Sequence, residues 1–259
     1  MAEIVFSNQA VNPTLNQGLV RELISKKIYI LKSIAVLAIF ALLQFANQYF
    51  FVPHENIPDI LIRGFALGGA TLIGLSLLIG PLAVLKPKFN FVRHRRAVGN
   101  AGFVLIFFHL QLIISQRLGN SPQLIFSNPN PFANGLFMGF LAYFPLVLLF
   151  LTSTDWATRK LGQKNWKNLH RLIYASFLIF ILHAVIMTRY DPVRLFNPAG
   201  YLLLLVSIFA ALFQLLAYIK RIFMGHSKPV ALYVGAFFII AYLVIFSAFL
   251  FAPNLLIGK

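Results

Sequence analysis

The chain has 259 residues, 59% of them hydrophobic and 11% charged, with a mean hydropathy of +0.82. A water-soluble domain of this size would leave much of that apolar surface wet, so lipid is the expected solvent. With no cysteine, disulfides, iron–sulfur clusters, thiolate metal sites and CxxCH-attached haem are excluded, and the net charge of +16 sits in short loops between apolar runs, a pattern of membrane topology rather than nucleic-acid binding.

Residues 1–29 read as a cytoplasmic or interfacial tail, not a signal peptide, because Glu3, Arg21 and Glu22 interrupt any short apolar core. Spanning needs about 20 apolar residues per helix. Seven segments qualify: 30–52, 60–85, 97–117, 133–152, 168–188, 199–219 and 229–252, followed by a short outer tail at 253–259. Pro53, Pro58, Pro131, Pro198 and Pro229 punctuate the boundaries, while Pro81 and Pro145 fall within or near the ends of spans. The expected fold is therefore all-α, a polytopic membrane helix bundle occupying residues 30–252 as one domain. Lys86, Lys88, Arg93, Arg95 and Arg96 follow span 2; Arg159, Lys160, Lys164 and Lys167 follow span 4; Lys220, Arg221 and Lys228 follow span 6. The alternate loops carry fewer cations, which predicts a multi-pass membrane protein with the N-terminus inside and the C-terminus outside.

The six acids lie in the tail, in loops or at span edges, so a carboxylate proton relay is not expected. The deep titratable groups are His109 and His183. Measured from the basic residues that open their parallel spans, they lie about 20 and 24 Å along the helix, less than one turn apart in depth. Two neutral imidazoles at one level can hold a haem iron from both faces, and the glycines of spans 2 and 3 leave room for close helix approach or a flat ring. His94 and His170 lie lower and define a second, inner haem site that the spacing leaves open. Thirteen residues from His170 to His183 turn about 140° on an ideal helix, whereas fifteen from His94 to His109 turn about 60°. His54 and His226 fall in loops. Arg95, Arg96 and Arg171 are candidate inner cations beside haem propionates, with Arg63 and Arg189 as outer ones.

The stretch LTSTDWATRKLGQKNWKNLHRLIYASFLIFILHAV, with RRAVGNAGFVLIFFHL at 95–110, resembles the ferric reductase-like transmembrane domain family, and within it the MsrQ-type haem-binding membrane subunits. The likeness covers about residues 60–190. It implies a b-type haem protein passing electrons from a cytoplasmic-side donor to an acceptor outside, the acceptor being a periplasmic oxidoreductase such as a methionine sulfoxide reductase. In that reading His109 and His183 are the axial ligands of the outer haem and His170, with His94, serves the inner region. Only PNLLIGK follows span 7, so no appended flavin or nicotinamide domain is expected, and electrons come from a quinol or a cytoplasmic flavin reductase, with FMN or a quinone as further cofactors. The competing class is a non-redox transporter or scaffold whose buried histidines are structural. Paired broken helices or a midplane ionisable site, which would favour it, are not evident.

Overall fold

A computed structural model describes residues 13–53, 56–88, 91–188 and 197–224, together with Ile240. Every regular element among them is helical: α1 (Pro13–Phe51), α2 (Ile57–Leu85), α3 (Val92–Leu112), a π turn (Ile113–Arg117), a 3-10 turn (Pro122–Phe126), α4 (Gly135–Leu151), α5 (Asp155–Leu161), α6 (Gln163–Leu169), α7 (Leu172–Thr188) and α8 (Pro198–Phe223). Five of the helical stretches are long and apolar enough to cross a membrane, or six if the bent pair α4–α5 is one span. The described residues are thus all helical, with enough membrane-capable helices for a multi-pass protein. The predicted span 229–252 lies outside the described residues, apart from Ile240, as do Arg189, His54 and His226.

The chain divides into two compact units, residues 1–39 and 40–259. In the first, α1 is already helical from Pro13, so no break in the helix marks the boundary expected near residue 30. Ile24, Leu31, Ile34 and Ile39 in it are exposed. The second unit holds all the features below.

Local chemistry sets the ends of the helices. Asn56 and Asn197 cap α2 and α8 by accepting backbone N–H groups, and Pro58 and Pro198 stand in the first turns where a missing N–H costs nothing. At the far end of α2, the Lys220 ammonium donates to the carbonyls of Val84 (2.9 Å) and Leu85 (3.2 Å), groups the helix cannot satisfy itself. The Thr-Ser-Thr run makes the 91° bend between α4 and α5. Thr152 and Ser153 turn their hydroxyls back onto Leu148 O and Leu149 O at 2.7 and 2.6 Å, while Thr154 accepts from Ala157 N and caps α5. The three hydroxyls thereby bond backbone groups on both sides of the turn.

The core is built by α2, α3, α4, α7 and α8, with Leu67, Ile73, Ile106, Ala142, Phe177 and Leu203 buried in one cluster. Helices α2 and α3 meet backbone to backbone: a Cβ at Gly69 would lie 2.9 Å from Gly102 O, and one at Gly102 would lie 2.9 Å from Gly69 O. The sequence leaves two readings for these glycines, close approach or room for a ring. At Gly69 and Gly102 the structure selects close approach.

Candidate functional site

His109 on α3 and His183 on α7 line one cavity, whose walls come from α2, α3, α4, α7, α8 and the 3-10 turn. It contains about 1070 Å³ of space not filled by atoms, its open side included. Apart from the two imidazoles, Arg63 and Tyr143, the lining is small or apolar: Ala66, Ala70, Ile106, Phe140, Phe180 and Ala184 are representative.

Both rings are oriented through the same atom. His109 Nδ1 lies 2.9 Å from Ile62 O on α2, and His183 Nδ1 lies 2.8 Å from Gly135 O on α4. A carbonyl oxygen only accepts, so Nδ1 is the donor in each case. A neutral imidazole has one N–H, which puts the lone pair on Nε2 in both rings. Backbone carbonyls that fix ring angle and tautomer are the support a metal-binding histidine requires. The α4 backbone also makes room for one ring. A Cβ at Gly139 would stand 3.0 Å from His183 Cε1 and 3.1 Å from its Nδ1. Gly139 was not singled out from sequence; only its place one helical turn after Gly135 hints at a small-residue face opposite His183.

The other predicted site residues lie at the end of the bundle that carries the basic loops. His170 follows α6, its ring stacked on Trp166 with centroids 4.0 Å apart. Its Nε2 is 3.2 Å from Thr152 Oγ1. That hydroxyl already donates its hydrogen to Leu148 O at 2.7 Å, so it accepts from His170, and Nε2 carries the proton. His170 thus holds the opposite tautomer from the cavity pair, and to bind iron through Nε2 it would have to surrender this bond. His94 stands at the start of α3 with its ring 6.5 Å from that of Phe91. Neither His94 nor His170 lines the cavity of His109 and His183.

Arg95 lies against Gly80 of α2, whose Cβ would come 3.2 Å from a guanidinium nitrogen, and it hydrogen-bonds the Tyr174 side chain. Arg96 pairs with Asp155 at 2.6 Å and sits 5.8 Å over the Trp166 ring. Arg171 is exposed. Arg95, Arg96 and Arg171 are therefore grouped near His170, away from the cavity.

At the opposite end a second chamber of about 1010 Å³, open side included, adjoins the first and shares Ile62, Arg63, Ile113, Leu136 and Met187 with it. Asp59 and Arg117 pair across its wall, with the Asp59 side chain only 6% exposed.

Taken together, these features define a polytopic membrane helix bundle that aims two imidazoles of one tautomer into a single apolar cavity. Residues 66–181 match the family described as ferric reductase like transmembrane component. Relatives named protein-methionine-sulfoxide reductase heme-binding subunit MsrQ include one from Bordetella pertussis, 30% identical over 154 residues, covering 57% of this chain and 73% of the relative. One from Brucella anthropi is 30% identical over 49% of this chain and 56% of its own length. A third, from Caulobacter vibrioides, is 28% identical over 51% and 63% respectively. The chain belongs to the ferric reductase-like family of membrane proteins, among its MsrQ-type members.

Proposed function

We propose that the protein is a b-type haem electron-transfer subunit, with His109 and His183 as the axial ligands. The observation that carries this reading is the pair of imidazoles lining one apolar cavity, each with Nδ1–H on a backbone carbonyl and its lone pair on Nε2. No group of three or more His, Cys, Asp or Glu residues placed to hold a metal ion occurs among the described residues. Two protein nitrogens suit an iron whose other four ligands come from a macrocycle far better than a bare ion, which needs four or more donors of its own. The small and apolar walls and the glycine beside His183 are the surroundings such a ring needs.

Bound there, a haem would supply a one-electron carrier. His109 and His183 would hold its iron through Nε2, and the Ile62 and Gly135 carbonyls, each accepting an Nδ1–H, fix the tautomer that leaves those nitrogens as donors. The apolar lining holds water away and raises the cost of a net charge on the site. The basic loops support a cytoplasmic location for the His170 end, where a quinol or a flavin reductase would deliver electrons. The chamber beyond Arg63 would then face outward, and a methionine sulfoxide reductase is the acceptor class suggested by the names of the relatives.

The test is a visible spectrum of the detergent-purified protein after haem-replete expression, before and after dithionite. A Soret band with sharp reduced α and β bands is expected, and a protein that purifies folded without a Soret band would end this reading. Co-purification with an outside-facing oxidoreductase checks the acceptor.

A further inference from the structure

The chain has two tryptophans, Trp156 on α5 and Trp166 on α6, and they face opposite ways. Trp166 is half-buried: its indole Nε1–H donates to Thr152 O at 2.8 Å and its ring stacks on His170. Trp156 is 64% exposed, and among the described residues its indole N–H has no protein partner. Helix α5 carries Asp155, Arg159 and Lys160 among its seven residues, a charge density that hydrocarbon does not accept. Turned 91° from α4, it therefore leaves the span and runs along the membrane surface. The Thr154 cap on Ala157 N fixes the start of α5, and the Trp166–Thr152 bond ties α6 back to the same corner.

Trp156, Arg159 and Lys160 are spaced i, i+3 and i+4, so they share one arc of about 100° on α5. Ala157 packs inward at 3% exposure. Lys164 and Lys167 share a side of α6 by the same rule. All four cations are exposed, and among the described residues none pairs with a carboxylate. Asp155, the acid of this stretch, is held by Arg96. Exposed leucines flank the cations along the chain, Leu151 at the end of α4 and Leu172 at the start of α7. Cations beside exposed apolar groups and an indole with an unused donor make up an interfacial anchor. An acidic protein would match the cations but not the leucines at the ends of the spans; a phospholipid offers phosphate to the first and acyl chains to the second.

We propose that the α5–α6 corner is a binding site for anionic phospholipid. Arg159, Lys160, Lys164 and Lys167 take the phosphates, and the Trp156 indole lies at the level of the ester carbonyls, where its N–H finds an acceptor. The site needs no haem, so its failure leaves the function proposed above standing.

The test uses full-length protein reconstituted in phosphatidylcholine vesicles that contain brominated phosphatidylglycerol or brominated phosphatidylcholine at equal low mole fraction. Bromine quenches an indole only at close range, so Trp156 reports on the lipid at the corner itself. In wild type, brominated phosphatidylglycerol is expected to quench about twofold or more beyond brominated phosphatidylcholine. The difference is expected to vanish in Trp156→Phe and to fall by about half or more in Arg159→Gln/Lys160→Gln. Lys86→Gln/Lys88→Gln removes the same charge from exposed positions between α2 and α3 and is expected to leave it intact. Equal quenching by both lipids in wild type overturns the site; if polyglutamate then binds wild type but not Arg159→Gln/Lys160→Gln, the corner is a face for an acidic protein instead. A difference that survives Trp156→Phe or Arg159→Gln/Lys160→Gln arises elsewhere and overturns the placement. An equal loss in both charge variants assigns the preference to net charge and removes the site.

Discussion

The two ends of the bundle use histidine in opposite ways. At the cavity, His109 and His183 give their N–H to backbone carbonyls through Nδ1, which puts the lone pair of each ring on Nε2. At the basic end, His170 gives its N–H through Nε2 to Thr152 and lays its ring on Trp166. The first arrangement presents a metal donor; the second spends that donor atom on holding the α4–α5 bend against α6. Residue type is the same, and the hydrogen-bond partner on the opposing helix makes the difference.

The sharpest way to break this contrast is to delete the imidazoles one at a time. His109→Ala and His183→Ala are each expected to lower haem per protein by about tenfold or more, read by the pyridine haemochromogen assay, while His170→Ala keeps the spectrum of the cavity site. An equal loss in all three would erase the distinction between the two ends. Next comes Gly139→Ala. Its added methyl meets the His183 ring at 3.0 Å, so the ring must give by a few tenths of an ångström, which loosens its bond to Gly135 O. The expected cost is about 1–3 kcal/mol of ligand positioning, seen as high-spin character or carbon monoxide binding in the reduced protein. Carbon monoxide binding no greater than in wild type would show that the ring has slack.

Smaller effects are expected at the basic end. Thr152→Val removes the acceptor for His170 Nε2–H and the hydroxyl bond to Leu148 O, and should cost about 1–2 kcal/mol of thermal stability with no change in the visible spectrum. A spectral change there would bring His170 into the cofactor site. Arg96→Gln breaks an ion pair with a solvent-exposed Asp155 and should alter stability by less than about 1 kcal/mol in detergent.

Much of this site was legible one residue at a time. Rise per residue put His109 and His183 at one depth, and the structure brings both to one cavity. The Thr-Ser-Thr motif was visible as a string, but its work as a hydroxyl-lined corner emerges only with the 91° bend. Gly139 went unremarked among the apolar residues of span 4, because nothing along the chain says that His183 lies across from it. Asp59 and Arg117 sit 58 residues apart, and a π turn stands between α3 and their meeting.

Composition and hydropathy alone determined that the chain lives in lipid, that its helices begin and end near particular prolines and basic clusters, and that two imidazoles are sunk to the same level. Those properties depend on solvent preference and on a fixed rise per residue, both readable in one dimension. Tertiary structure decided which nitrogen of each ring carries the proton, which glycines serve helix contact and which spare a ligand, and where Arg117 points. The bonds responsible join residues 47 and 48 positions apart in the cavity pair, so they exist only once neighbouring helices have packed and offered their carbonyls.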